Sequence, residues 1–123
     1  MPHQFEDLSG RILAAAVEVH KALGPGFIES IYHSAMKVPM EHRGIPYVTE
    51  NPVHLFFEGV ELGVQRIDLV IGDEIILEFK AVKALDDIHF AQTKSYLKAT
   101  GLHVGLLLNF NAPTLVIKRV VLG

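Results

Sequence analysis

The 123-residue chain has no cysteine and no tryptophan, only 8% aromatic residues, and no surplus of positive charge. Without cysteine there is neither a disulfide framework nor a thiolate metal site. No segment approaches the ~18 consecutive apolar residues of a membrane-spanning helix, and residues 1–10 lack the basic start and apolar run of a secretory leader. A cytoplasmic protein with no membrane partner is expected. Eleven Lys and Arg against fourteen Asp and Glu give a net charge of -3, which is not the footprint of a protein that coats nucleic acid by bulk charge. Any phosphate must be met locally, by a small cluster or through a bound cation. There is no G-x-S-x-G elbow, P-loop or dinucleotide fingerprint, so acyl transfer and nucleotide-cofactor chemistry have no support. Seven histidines show no i,i+4 pair and no zinc-ligand spacing, and surface or core-edge positions are expected for most of them.

What is present is a 50% hydrophobic composition at the length of one domain, enough for one core spanning residues 1–123. Leu8, Ile12, Ala16, Val19 and Leu23 recur at helical spacing and predict a helix over 9–23, ended by Gly24-Pro25-Gly26. The period repeats over 27–42 with Ile28, Ile31, Ala35 and Val38, although Pro39 should kink this helix or end it early. Alternation then predicts antiparallel strands near 47–57, 60–71 and 74–82, with turns at Glu58-Gly59 and Gly72-Asp73. Asp86 and Asp87 favour a helix start, and that helix runs to about Thr100 before Gly101. The near-continuous apolar run 103–110 reads as a strand covered on both faces, and 114–122 as a fifth strand. The order is α-α-β-β-β-α-β-β.

If the turn after Ile71 holds three residues, antiparallel register sets Asp68 opposite Glu78 and Arg66 opposite Lys80. One face then carries Ile67, Leu69, Ile71, Ile75, Leu77 and Phe79, while the other carries Arg66, Asp68, Glu78 and Lys80 beside Val70 and Ile76. Two opposed carboxylates repel unless a cation sits between them. Oxygen ligands without Cys or paired His select a hard ion, Mg²⁺ or Mn²⁺, over zinc. Lys80, two residues beyond Glu78 on the same face, lies where it could orient an attacking water. The competing reading is a solvent-facing strand whose Arg, Asp, Glu and Lys pair with one another. On the second helix Glu29 flanks the apolar stripe and can border the sheet. On the third, His89, Gln92 and Tyr96 share one stripe near Leu85, Ile88 and Ala99, with Lys94 and Lys98 on the opposite side. A polar stripe in a buried face needs polar partners, although a Tyr and a Gln satisfied at the core edge would look the same.

The run Val19-His20-Lys21-Ala22-Leu23-Gly24-Pro25-Gly26-Phe27-Ile28-Glu29-Ser30-Ile31-Tyr32 resembles the signature of the GxxExxY proteins, small proteins placed in the PD-(D/E)XK nuclease superfamily. The likeness extends through Arg66-Ile67-Asp68-Leu69-Val70, Leu77-Glu78-Phe79-Lys80-Ala81-Val82, His89-Phe90-Ala91-Gln92, Ser95-Tyr96-Leu97-Lys98 and Gly105 to Phe110, nearly the whole chain. It implies an α/β fold with a restriction-endonuclease-like αβββαβ core, a mixed central sheet flanked by helices. It further implies Asp68 and Glu78 as metal ligands with the Phe79 carbonyl as a third, Lys80 as the catalytic lysine, and Glu29 as the helix acid that reaches the metal. Gln92 and Tyr96 resemble the Q-x-x-x-Y element of RecB-type exonucleases, which lies beside the metal site. Ile67 stands where the superfamily's name has Pro, a position that varies there.

Together these readings predict a Mg²⁺- or Mn²⁺-dependent hydrolase of nucleic-acid phosphodiesters, with DNA as the expected substrate. Glu29, Asp68 and Glu78 would hold the metal, Lys80 would position water, and Gln92 with Tyr96 would orient the site or substrate. Lys83, Lys94, Lys98 and Arg43 could touch a phosphate backbone, or simply form a solvated face. One rival is a nucleic-acid or protein binding module that keeps fold and metal site without turnover. Another is a structural domain with surface ion pairs alone. A homodimer fits a short chain that needs a second copy to embrace its substrate.

Overall fold

The computed structural model describes residues 3–122, with side-chain surroundings from Asp7 onward, so the side chain of His3 lies outside the described residues. The elements are α1 (His3–Leu23), α2 (Glu29–His42), β1 (Tyr47–Phe57), β2 (Val60–Ile71), β3 (Ile75–Lys80), α3 (Asp87–Thr100), β4 (Val104–Asn109) and β5 (Val116–Val121). One five-stranded sheet runs in the order β1-β2-β3-β4-β5. Its pairs are antiparallel except for β3 and β4, which are parallel and joined through α3. The element order is the one the sequence predicts, and β1 and β2 keep the predicted limits; β3, β4 and β5 are one or two residues shorter at each end, α2 starts two residues later, and α1 starts earlier. No helix among the described residues is long and apolar enough to cross a membrane.

Two cores lie on opposite faces of the sheet. The larger packs α1 (Ile12, Ala15, Ala16, Val19) and α2 (Tyr32, Met36, Met40) on Leu69, Ile71, Ile75, Leu77, Phe79 and the Val104, Leu106 and Leu108 side of β4. The smaller places Tyr96 and Leu97 of α3 on Val53, Ile67, Val70, Ile76 and Leu107. Every residue of β4 is buried, as a strand covered on both faces must be. Each buried Leu there contributes roughly 1.5–3 kcal/mol relative to exposure.

The structure corrects four expectations. The predicted apolar stripe of α2 faces outward: Ile28, Ile31 and Val38 are exposed, and the buried face carries Tyr32, Met36, Pro39 and Met40. Both stripes have helical spacing, and the larger aromatic and thioether side chains take the core. Pro39 does not end the helix, which continues to His42. The prolyl carbonyl accepts the Arg43 amide at 3.1 Å and Arg43 Nη1 at 3.3 Å, so the last turn is closed around it. Finally, Ile67 packs in the α3-side core rather than with Leu69, because strict alternation of β2 fails at Asp68. On α3, Ile88 is likewise exposed rather than buried.

Candidate active site

The β2–β3 hairpin turns through Gly72 and Asp73, both left-handed (φ 58° and 54°), with the Glu74 amide donating to the Ile71 carbonyl at 3.0 Å. Ile71, Val70 and Leu69 then pair with Ile75, Ile76 and Leu77 in the predicted register, and the ladder stops. The next positions are Asp68 and Glu78, and side chains replace the backbone bonds there. The Asp68 amide donates to Glu78 Oε2 at 2.8 Å, and the Phe79 amide donates to Asp68 Oδ2 at 2.8 Å. Two facing acids disfavour continued pairing; here the strands part, and each carboxylate is braced by a backbone N–H from the opposite strand. Beyond this crossed brace the strands no longer pair, and the expected opposition of Arg66 and Lys80 does not form.

The same position is irregular toward β1. Thr49 pairs with Leu69 and Asn51 with Ile67, so Glu50 and Asp68 are the facing residues that the ladder skips. Glu50 is left-handed (φ 52°), a conformation that a non-glycine residue adopts at a cost of about 1–2 kcal/mol. Three adjacent strands thus present Glu50, Asp68 and Glu78 in a row.

Lys80 ends β3, where its backbone is fixed by β4. It pairs with Asn109, its carbonyl accepts the Phe110 amide at 2.9 Å, and the Asn109 side chain clamps Val82 at both amide and carbonyl, at 3.1 and 2.9 Å. The Lys80 ammonium donates to Gln92 Oε1 at 3.4 Å, so α3 and β3 meet as expected. Tyr96, one helical turn on, is buried. Desolvation raises its hydroxyl pKa, and the nearby Glu78 and Asp68 carboxylates add to the rise.

Glu29 enters from the other face as the first residue of α2. Its place is set by the preceding loop, where Gly24 and Gly26 are left-handed and the buried Tyr32 hydroxyl donates to the Gly24 carbonyl at 2.6 Å and accepts the Phe27 amide at 3.2 Å. The Tyr32 ring stacks on Phe110 with centroids 4.5 Å apart. Glu29, Ser30, His33, Glu50 and Asp68 line an open cleft of ≈ 250 Å³. His33 Nε2 lies 3.0 Å from Thr49 Oγ1, and its Nδ1 lies 3.6 Å from Glu50 Oε1. His33, Glu50, Asn109 and the Tyr32 anchor are features of this site that sequence reasoning missed; of these Tyr32 and Asn109 carried a signal, as members of the quoted Gly26-to-Tyr32 and Gly105-to-Phe110 runs.

A family model described as the PD-(D/E)XK nuclease superfamily matches residues 6–120. The chain belongs to the PD-(D/E)XK nuclease superfamily. The solved structure of SSO0001 shares the fold, with a TM-score of 0.57 at 20% identity over 75% of this chain. That alignment takes in 48% of SSO0001, so the chain spans about half its length. Comparison with curated proteins gives no match. The mixed sheet with flanking helices is the restriction-endonuclease-like fold of this superfamily.

PD-(D/E)XK nucleases typically use Mg²⁺ or Mn²⁺, and the donor chemistry here fits such an ion. Glu78 is 4% exposed; desolvation, with Asp68 beside it, pushes its carboxyl up to about 8. Desolvation also raises Asp68, against the Phe79 amide bond and the charges of His33 and Lys80. Glu29 is raised by desolvation as well, opposed by Lys80 and reinforced by Asp68. A divalent cation would remove this cost of crowding acids. Asp68 and Glu78 each spend one oxygen on the brace, which leaves the other for a hard cation. The Phe79 group tied to Asp68 is its amide, not its carbonyl. Among the described residues no three His, Cys, Asp or Glu side chains are grouped closely enough to hold a metal ion as they stand.

Proposed function

We propose that the protein is a metal-dependent nuclease that hydrolyses phosphodiesters in nucleic acid, with DNA as the first substrate to test, and that it is one of the GxxExxY proteins of the superfamily. The observation that carries this reading is the crossed brace of Asp68 and Glu78 with Lys80 held by Gln92 beside it. Asp68 and Glu78-Phe79-Lys80 match the letters of the superfamily's name, with Ile67 at the position where that name has Pro. Asp68 and Glu78 would hold Mg²⁺ or Mn²⁺, with Glu29 reaching it from across the cleft and the Phe79 carbonyl as a further ligand. The bound ion supplies Lewis-acid polarisation of the phosphodiester and lowers the pKa of water. Lys80 orients the attacking water and offsets negative charge at the phosphate, and Gln92 fixes the lysine's direction. Tyr96 is a donor facing the two acids. Cleavage occurs in the cytoplasm, on a substrate met through the metal, since the net charge of -3 gives no general attraction to a polyanion.

The test is cleavage of labelled linear, circular and single-stranded DNA and RNA with Mg²⁺ or Mn²⁺, comparing the wild type with Lys80→Ala and Asp68→Ala. Metal-dependent cutting lost in both variants supports the reading, and the preferred substrate separates endo from exo action. Calorimetric metal binding that needs Asp68 and Glu78, without cutting of any substrate, would overturn turnover and leave a binding module.

A further inference from the structure

β1 and β2 outrun the rest of the sheet. β2 pairs with β3 only through Leu69, Val70 and Ile71, so its residues 60–66 have β1 as their one strand neighbour among the described residues, and β1 is an edge strand. The hairpin is nonetheless well formed. It closes with the Phe57–Val60 pair around Glu58 and Gly59, both left-handed (φ 48° and 80°), the backbone of a tight two-residue turn. Its tip is apolar and open to solvent: Phe56 is 62% exposed, Phe57 64%, Val60 62% and Leu62 67%. With aromatic side chains of about 150–250 Å² each, this tip exposes on the order of 500 Å² of apolar surface over its two faces, the scale of the largest apolar patch on a monomer, which is often functional. An isolated two-stranded ribbon is marginal in water, so a tip with these side chains gains by being covered.

Charge identifies what covers it. The tip carries Glu58 and also Glu61, whose carboxylate is bound to His54 across the same hairpin, and residues 51–65 contain no Lys or Arg, which disfavours a nucleic-acid strand. Just behind the hairpin tip, between β1 and α3, lies a hollow of ≈ 520 Å³ lined by His54, Leu55, Phe56, Ser95, Lys98 and Ala99. Lys94 and Lys98 on this side of α3 are exposed and make no ion pair among the described residues. An acidic apolar plug and a basic-rimmed socket therefore sit side by side on one chain, which is the arrangement that a self-complementary twofold contact requires.

We propose that two copies of this chain dock by reciprocal exchange of hairpin tips: Phe57 and Val60 of one copy enter the hollow between β1 and α3 of the other, and Glu58 meets the partner copy's lysine-bearing helix face. The contact gathers the exposed tip, the hollow and the α3 face on each copy, approaching the roughly 800 Å² per partner of a standard interface. It is independent of the nuclease reading and survives if no substrate is cut.

Sedimentation velocity over a concentration series, at low and high salt, tests this directly. A dimer is expected, with Phe57→Glu weakening its dissociation constant about 30-fold or more. An unchanged far-ultraviolet spectrum and melting profile would show that this exposed position leaves the fold intact. Glu58→Lys and Lys98→Glu should each weaken the dimer, and their combination should recover it. Because the chain has no cysteine, mixing separate Val60→Cys and Ser95→Cys proteins should give a disulfide-linked pair of the two variants. A protein monomeric at every concentration, a dimer indifferent to Phe57→Glu and the charge reversals, or cross-linking only between identical variants would overturn the proposal. So would a monomer whose nucleic-acid affinity falls in Phe57→Glu, which would assign the tip to nucleic acid.

Discussion

The two edges of β3 are built differently. Toward β4 it makes six parallel pairs, from Ile75 with Val104 to Lys80 with Asn109. Toward β2 it makes three, and then Asp68 and Glu78 take over the hydrogen bonding. One edge holds the strand rigid to its last residue, and the other opens as the chemistry begins. A lysine that must point at a substrate needs a fixed backbone, whereas acids that must take a cation need room beside them. β3 supplies both because only one of its neighbours continues. The continuing neighbour also reinforces the end itself, through the Asn109 clamp on Val82.

The largest expected effect lies on the open edge. Lys80→Ala and Asp68→Asn should each lower metal-dependent cleavage by roughly 10²–10⁴-fold, while a core substitution on β4 that leaves the protein folded should not change the metal requirement. Turnover assays across a Mn²⁺ titration would show it; equal losses from both edges would erase the distinction.

Next in size is a pH effect on stability. In the metal-free protein Glu78 holds its proton up to about pH 8, against 4.5 as its ordinary value, so between those values the folded chain binds a proton that the unfolded chain has released. This contribution to stability is complete below about pH 4.5 and is lost as pH rises through 8, by on the order of a few kcal/mol. Denaturant unfolding at pH 5 and pH 8 should show the decline, Glu78→Gln should flatten it, and Mg²⁺ should reduce it. A variant with the wild-type slope would mean that Glu78 already ionises freely in the fold.

The closed edge gives a smaller effect of the opposite character. A Cβ at Gly105 would lie 2.7 Å from Thr93 Cγ2, and Thr93 is fully buried with its hydroxyl donating to the His89 carbonyl at 3.0 Å, so it has little freedom to yield. Gly105→Ala should cost about 1–3 kcal/mol in a thermal or denaturant melt, with the metal dependence of cleavage unaltered.

The sequence shows this asymmetry only in part. The strands, α3 and the shared face of Asp68, Glu78 and Lys80 follow from turn positions and periodicity, because these are local signals within a few residues of a Gly or a charge, whereas the nearness of Gln92 and Tyr96 to those acids was implied only by the family resemblance. The break in the ladder was not legible, since alternation assumes that pairing continues past two acids, and so Ile67 was assigned to the wrong face. Glu50 was hidden by a bulge. From the Phe57–Val60 closing pair a regular hairpin would set Glu50 beside Ile67, and the shift between Leu55 and Phe56 moves it to Asp68. The buried stripe of α2 was missed because aliphatic spacing fits either side of that helix, and only the tertiary position of Phe110 selects the Tyr32 face.

That selection suggests the smallest effect. Tyr32→Phe keeps the ring on Phe110 and removes the hydroxyl that ties the Gly24 carbonyl to the Phe27 amide. The loss should be about 1 kcal/mol of stability, the worth of an ordinary hydrogen bond with some uncompensated burial. The loop it frees leads into Glu29, so the metal concentration for half-maximal cleavage should rise severalfold even where the protein is fully folded. Were the melt to shift while the metal titration stayed in place, Glu29 would be held by the cleft that it shares with His33 and Asp68 rather than by the loop before it. The open edge of β3 would then position its own third acid, with no help from the packing on the far side of the sheet.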